Sequence, residues 1–363
     1  MLPRCKYVTN SIPIRILVLC VPLVAVLCSF YFFFYASNYS CIHPWFIVSD
    51  RKNNQSPYPW TDAKCDWQIT PPCPNMISSN LVERRNLSLE TTTAILKEDE
   101  DAVQFKMRKS GIKVGGRYKP VECQSQHKVA IVVPVRNRTD HLTVFLRYMH
   151  PFLQRQQLNY IIIVVEQSEK SPFNRGMLMN IGFKEAQLLQ ENFQCFIFHD
   201  VDLLPEYDGN PYTCPEDRKP RQMAFSVDSW NYKPTPGNHF GGVTALSTND
   251  FQRVNGFSNS FWGWGGEDDQ LYQRVKLQNL NVTRAFDEQP SLIHLARYKT
   301  LSHKKATPNP DRMQVIREGP GRFKTDGLVD LRYKRLDFQF KPLYTAVLVD
   351  IQPYNITNIN ERL

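Results

Sequence analysis

The sequence predicts an α/β protein: a mostly parallel, doubly wound sheet tied to a membrane by one N-terminal helix. Three observations carry this. Between residues 128 and 198, short apolar runs of strand length alternate with amphipathic stretches of helix length. One uncharged run of twenty residues, Ile16 to Tyr35, is long enough to cross a bilayer core. The 363 residues are 42% hydrophobic and 12% aromatic, enough apolar material for a large core, which excludes a disordered chain.

The apolar run comes first. Arg4, Lys6 and Arg15 precede it with no acid among them, and no charge follows until Asp50. Positive charge marks the cytosolic side, so residues 1–15 form a cytosolic tail, 16–35 a signal-anchor, and the rest is lumenal. Pro22 is tolerated in a membrane helix. A cleaved signal peptide is the competing reading. The run exceeds the usual apolar core of such a peptide, and no A-x-A site follows. A lumenal chain predicts glycans and disulfides. Sequons start at Asn38, Asn54, Asn86, Asn137, Asn281 and Asn355, and Asn137 is read as unmodified because it lies inside a motif. Six cysteines are lumenal: Cys41, Cys65, Cys73, Cys123, Cys195 and Cys214. Their number favours disulfides, but spacing alone does not choose the pairing.

Residues 36–70, rich in Asn, Ser, Pro and Tyr, read as an exposed stem, and 71–363 as the catalytic domain. A helix is expected around Thr91 to Met107. Val129 to Val133 is a buried parallel strand ending at Pro134. Thr139 or Asp140 then caps a helix with Leu142, Phe145, Leu146, Met149 and Leu153 on one face. Tyr160 to Val165 is a second strand, about Asn174 to Asn192 a helix, and Cys195 to Phe198 a third strand.

The net charge is +9, and the lumenal part keeps +6 of it. Residues Arg297 to Lys341 alone hold twelve Lys/Arg against five Asp/Glu. A positive segment in an otherwise balanced domain suits a local anionic ligand or a solvated basic face. Nucleic acid is excluded by the compartment.

Ligands gather at the carboxyl ends of strands in open α/β sheets. His199-Asp200-Val201-Asp202 follows the third strand, and its two carboxylates can hold a divalent cation beside a diphosphate. Arg136 and Arg138 follow the first strand, and Arg175 lies at the next crossing; guanidinium forks suit phosphate oxygens. Phe261 to Asp269 places two tryptophans among glycines, then three acids. Tryptophan faces suit sugar rings, and adjacent carboxylates raise one another's pKa, which suits a general base. An acidic helix N-terminus is the plainer reading of Glu267-Asp268-Asp269. It is set aside because a tryptophan-glycine loop makes poor capping material.

Taken together, Pro134 to Arg138, His150-Pro151, Leu153 to Leu158, Phe173-Asn174-Arg175, Asp200 to Leu203, Phe240 to Ser247, Trp262 to Asp269 and Pro308-Asn309-Pro310 resemble the β-1,4-galactosyltransferase family of the Golgi, in the family's order. The resemblance covers about residues 70 to 350. It implies a GT-A fold, a single-pass type II Golgi membrane protein, a UDP-sugar donor, Mn2+ and a glycan acceptor ending in GlcNAc. By motif, Pro134, Arg136, Arg138, Phe173, Arg175, Asp200 and Val201 would hold the donor. Trp264 would ride a mobile loop over it. Asp202 and His303 would bind the metal. Asp268 would be the base and Glu267 would position substrate, with Gly266 and Asp269 also at the acceptor. Arg312, Met313 and Ile316 would hold the N-acetyl group, and the basic loop from about Arg297 to Phe323 would fold over the donor. The implied disulfides are Cys73–Cys123 and Cys195–Cys214. Cys41 and Cys65 would pair with each other or between the chains of a homodimer.

Two positions depart from the family. Thr300 stands where a methionine ligates the metal, and a hydroxyl is a weaker ligand. The stretch Asp287 to Leu295 reads as an insertion, and its His294 as a loop histidine rather than a substitute ligand. His239 replaces a tyrosine that crowds out a 2-acetamido group, so galactose and GalNAc both stay open as donors. A silent sugar-binding homologue is a further alternative, supported only by the lost methionine.

Overall fold

The computed structural model describes residues 70–353, apart from 75–83, 86, 236 and 305, and residues from Thr70 onward form one compact unit. The tail, the signal-anchor, the stem up to residue 69, Cys41, Cys65 and the sequons at Asn38, Asn54, Asn86 and Asn355 lie outside the described residues. Among the described residues no helix is long and apolar enough to cross a membrane.

The helix expected around Thr91 to Met107 is two, α1 (Leu89–Lys97) and α2 (Glu100–Lys109), broken where Glu98 turns extended. Ser88 caps the first, accepting from Thr91 N. A short β1 (Arg117–Tyr118) precedes β2 (Lys128–Val135), which is buried along nearly its whole length. Helix α3 (Thr139–Arg155) begins one residue earlier than expected: Arg138 occupies the cap position and makes no side-chain capping bond, so neither Thr139 nor Asp140 is the cap. Strand β3 (Asn159–Gln167) leads to α4 (Arg175–Leu188), capped by Asn174 through Met177 N. Then come β4 (Cys195–His199), β5 (Leu203–Pro205), β6 (Arg221–Gln222), β7 (Ser226–Val227) and β8 (Val243–Ser247). Helices α5 (Thr248–Arg253) and α6 (Glu267–Leu277), β9 (Thr283–Arg284), β10 (Arg297–Thr300), α7 (Arg312–Arg322), β11 (Lys334–Phe340) and β12 (Thr345–Asp350) complete the order.

The main sheet runs β11-β12-β3-β2-β4-β8-β6-β9, with β1 beside β3. The expectation of a mostly parallel sheet is corrected here. Strands β12, β3, β2 and β4 are parallel, as is β6 with β9, but β8 is antiparallel to both β4 and β6, and β11 to β12. The central strands read as continuous apolar runs because both faces are covered. On one face Val129, Ile131 and Val133 pack with Val144, Phe145 and Met149 of α3. On the other, Ala130 and Val132 pack with Met177, Leu178 and Ile181 of α4 and Phe251 of α5. Each such fully buried large side chain contributes about 1.5–3 kcal/mol. A small second sheet, β5-β10-β7, stands beside the carboxyl end of β4. Both disulfides implied by the resemblance form, Cys73–Cys123 and Cys195–Cys214.

Candidate active site

The carboxyl ends of β2, β3 and β4 open into a cavity of ≈ 470 Å³. Its lining brings together Pro134, Arg136 and Arg138 after β2, Phe173 and Arg175 before and at the start of α4, and Asp200, Val201 and Asp202 after β4. Trp264, Glu267, Asp268 and His303 also face it, as do Ala306 and Thr307 of the basic loop.

Arg175 organises the floor. Its Nε donates to Asp200 Oδ1 at 2.6 Å, and its Nη1 to Asp268 Oδ1 at 2.7 Å and Glu267 Oε1 at 3.5 Å. The arginine read as a phosphate clamp is thus spent on three carboxylates. Burial, with Asp202 and Asp268 nearby, pushes Asp200 above the usual carboxylate range against the pull of Arg175. Burial first, and then Asp268, pushes Glu267 up to about 8 against the pull of Arg175. Burial and Asp268 also raise Asp269. Arg136 donates from Nη1 to Ser171 O at 2.6 Å and stacks over Phe173, 5.2 Å from the ring centre.

The three acids form the first turn of α6, with Gly266 as its cap. The helix N-terminus that sequence reasoning set aside is therefore present, and two of its acids, Glu267 and Asp268, also line the cavity. Gly263, Gly265 and Gly266 have φ of +92°, +95° and +102°, where a side chain would be strained. That freedom turns the tryptophan loop sharply into the helix. The loop is also bonded to its neighbours. Gly263 N donates to Phe173 O at 2.8 Å, Trp264 N to Thr307 O at 3.3 Å, and Asn309 N to Trp264 O at 2.9 Å. Trp264 stays 59% exposed. Across the loop, Arg312 packs against Gly265 and Gly266; Met313 is exposed and Ile316 half-buried on α7.

At the other wall Asp202 Oδ2 lies 2.6 Å from His303 Nε2. The two are hydrogen-bonded to each other and both face the cavity; a carboxylate oxygen and an imidazole nitrogen are donor types a divalent cation takes once that bond opens. Among the described residues no third His, Cys, Asp or Glu joins them. Thr300 does not replace the missing ligand: its N donates to Asp228 Oδ1 at 2.8 Å, and it lines a neighbouring cavity with Asp228 and Lys299. His294 is also elsewhere, its Nδ1 3.0 Å from Ser291 O and its ring against Tyr207. His239 is half-buried beside the Trp230 ring, at 5.2 Å, and burial lowers its pKa.

This arrangement has relatives. Residues 76–215 match the N-terminal region of glycosyl transferase group 7, and residues 221–304 a domain described as the N-terminal domain of galactosyltransferase. β-1,4-Galactosyltransferase 4 of Cricetulus griseus is 42% identical over 281 residues, 77% of this chain and 76% of that protein. The chain belongs to the β-1,4-galactosyltransferase family. Another member, β-1,4-galactosyltransferase 1 of Bos taurus, is 44% identical over 243 residues, 66% of this chain and 58% of the bovine protein. Among solved members, the catalytic domain of Drosophila β-1,4-galactosyltransferase 7 with xylobiose superposes with a TM-score of 0.54 at 27% identity, covering 64% of this chain and 96% of that one. A mutant of the Drosophila enzyme was solved with manganese, UDP-Gal and xylobiose, with the same coverage and score.

Sequence reasoning missed one residue at the site and named another without giving it a role. His141, on α3, places its ring edge-on to His303 at 6.1 Å, and Arg138 reaches the Nδ1 atoms of both histidines. His199, the last residue of β4, is wholly buried, and burial lowers its pKa to about 3. A polar residue closing the apolar run Cys195 to Phe198 was the available signal.

Proposed function

We propose that this family member is an inverting galactosyltransferase that moves galactose from UDP-galactose to the 4-hydroxyl of a terminal β-linked GlcNAc on glycoproteins or glycolipids. The supporting observation is the cavity itself: Asp268, the hydrogen-bonded Asp202–His303 pair and the arginines that follow the strands line it together. Pro134, Arg136, Arg138, Phe173 and Val201 bind the nucleotide. Arg175 and Asp200 bound the sugar end. Asp202 and His303 would hold Mn2+, which when bound would supply positive charge to offset that of the diphosphate.

Glu267 positions the acceptor and Asp268 is the base; burial makes Glu267 hold its proton more tightly than an ordinary carboxyl. Asp268 takes the proton of the acceptor hydroxyl. The oxygen then attacks the anomeric carbon opposite UDP, forming the new glycosidic bond as the bond to UDP breaks. Trp264 with Thr307 covers the donor and excludes water. Arg312, Met313 and Ile316 meet the N-acetyl group, beside Gly266 and Asp269. The GalNAc donor is not favoured, since the relatives named above are galactosyltransferases. The enzyme works in the Golgi lumen behind its signal-anchor, with stem cysteines available to join two chains.

The test is transfer to a chitobiose-type acceptor with Mn2+, offering UDP-Gal and UDP-GalNAc in parallel and reading linkage by NMR. Galactose transfer in β-1,4 linkage is expected. Asp268→Asn is expected to lower kcat by about 10²–10⁴-fold while UDP binding persists. Transfer by this variant at near-parental rate would remove Asp268 as the base, and no transfer from either donor would sink the assignment.

A further inference from the structure

We propose that His199 is a positioning residue: with Tyr212 and Tyr298 it forms a buried relay that fixes the Asp200–Asp202 turn against β10 and so sets the spacing of Asp202 and His303. The inference rests on the cation site proposed above.

The direction of every bond in the relay is forced. His199 Nδ1 lies 2.8 Å from Asp200 O, and a carbonyl only accepts, so Nδ1 carries the proton. The neutral ring then has a bare Nε2, 2.6 Å from Tyr212 Oη, which must donate to it. Having spent its proton, Tyr212 Oη accepts from Tyr298 Oη at 3.2 Å. All three side chains are fully buried, so water offers no substitute partner.

The two ends of the relay matter for the cation. At one end both backbone groups of Asp200 are held, its N donating to Gly242 O at 3.0 Å and its O accepting from His199. At the other end Tyr298 belongs to β10, the strand that runs toward His303. That strand pairs with β5 just after Asp202, Thr300 opposite Leu203, and Leu301 N donates to Asp202 O at 2.7 Å. The segments carrying Asp202 and His303 are therefore joined twice, once by backbone ladder and once through His199. Because Thr300 supplies no ligand from this strand, cation affinity depends heavily on how those two side chains are spaced.

The experiment measures Mn2+ binding to the full-length protein by loss of the free-ion electron paramagnetic resonance signal, beside the thermal midpoint. Four variants are compared: His199→Phe, which fills the space without hydrogen bonds; Tyr212→Phe, which removes one hydroxyl; His199→Asn, whose amide can still donate to Asp200 O; and Asp202→Asn. The expected result is a loss of Mn2+ affinity of about tenfold or more in His199→Phe and a smaller loss in Tyr212→Phe, with affinity largely recovered in His199→Asn. If His199→Phe does not fold, Tyr212→Phe decides. Affinity within about twofold of the parent in the relay variants, with Asp202→Asn impaired, overturns the relay alone. Full Mn2+ affinity in Asp202→Asn overturns the cation site and the relay with it.

Discussion

Replacing Arg175 with glutamine should expose how much of the domain's stability passes through one side chain. The guanidinium is 13% exposed and contacts Asp200, Asp268 and Glu267, whose side chains are 29%, 26% and 8% exposed. A unit-charge pair at about 4 Å is worth about 4 kcal/mol at an effective dielectric of 20, before desolvation is subtracted. Removing one partner of a buried pair costs about 3–5 kcal/mol. The partial exposure of the two aspartates screens their share, so we expect a loss of about 3 kcal/mol. Urea unfolding at pH 7.5, followed by tryptophan fluorescence, measures it as a lower midpoint at unchanged slope. The pH dependence supplies the sharper check. Without Arg175, which holds the Asp200 pKa down, Asp200 takes a proton more readily in the folded protein, so the deficit should shrink as pH falls toward 5. A loss under about 1 kcal/mol, or one that does not change with pH, would refute the claim that this arginine neutralises the site.

Gly241→Ala should abolish efficient transfer without unfolding the protein: the new Cβ would lie 2.1 Å from Asp268 Oδ2, and a carboxylate displaced by about 1 Å costs about 100-fold. Near-parental kcat/KM in this variant would show that the base does not depend on that contact. His150 is fully buried between Tyr160 Oη and Leu343 O, and burial lowers its pKa to about 4. Its folded pKa lies below the ordinary value of about 6.5, so this stability is complete above pH 6.5 and is lost as pH falls toward 4, on the order of 3 kcal/mol in all. A His150→Phe variant that loses as much stability between pH 7 and pH 4.5 as the parent would remove the histidine from the account. Opening Cys195–Cys214 by Cys195→Ser with Cys214→Ser frees a loop with a sequence separation of 19, for an expected loss of about 3 kcal/mol in unfolding free energy. An unchanged urea midpoint would mean that the surrounding packing already holds those ends.

The parallel centre of the sheet is legible because β2, β3 and β4 are buried on both faces and leave uninterrupted apolar runs. Part of the cavity lining is legible for a related reason: Arg136 and Arg138, Arg175, and Asp200 to Asp202 follow those strands, where the fold collects ligands. Strands β6 and β9, of two residues each, leave no period to read. Strand β12 joins β3 from the far end of the chain, a pairing that local pattern does not reveal. Residue type alone gave only part of the surroundings of Arg175. An arginine near a strand end suits phosphate, and only the folded site shows three acids already around it. The acids at Glu267 to Asp269 posed a false choice, since a helix N-terminus stabilises negative charge and can present it to a substrate at once. His199 stands in the motif before Asp200, but its role is not legible there because its partners, Tyr212 and Tyr298, lie 13 and 99 positions further along the chain.

The backbone bonds between the tryptophan loop and the basic loop have a consequence in time. Trp264 N is held by Thr307 O, and Asn309 N by Trp264 O. Neither amide can meet solvent unless the two strands of this small ladder part, so both report on one opening event. Their hydrogen-exchange rates should rise and fall together across temperature and denaturant, as members of a single cooperative unit. The slower of the two segments then sets the rhythm for both, and the tryptophan cannot leave the cavity faster than the basic loop lets go.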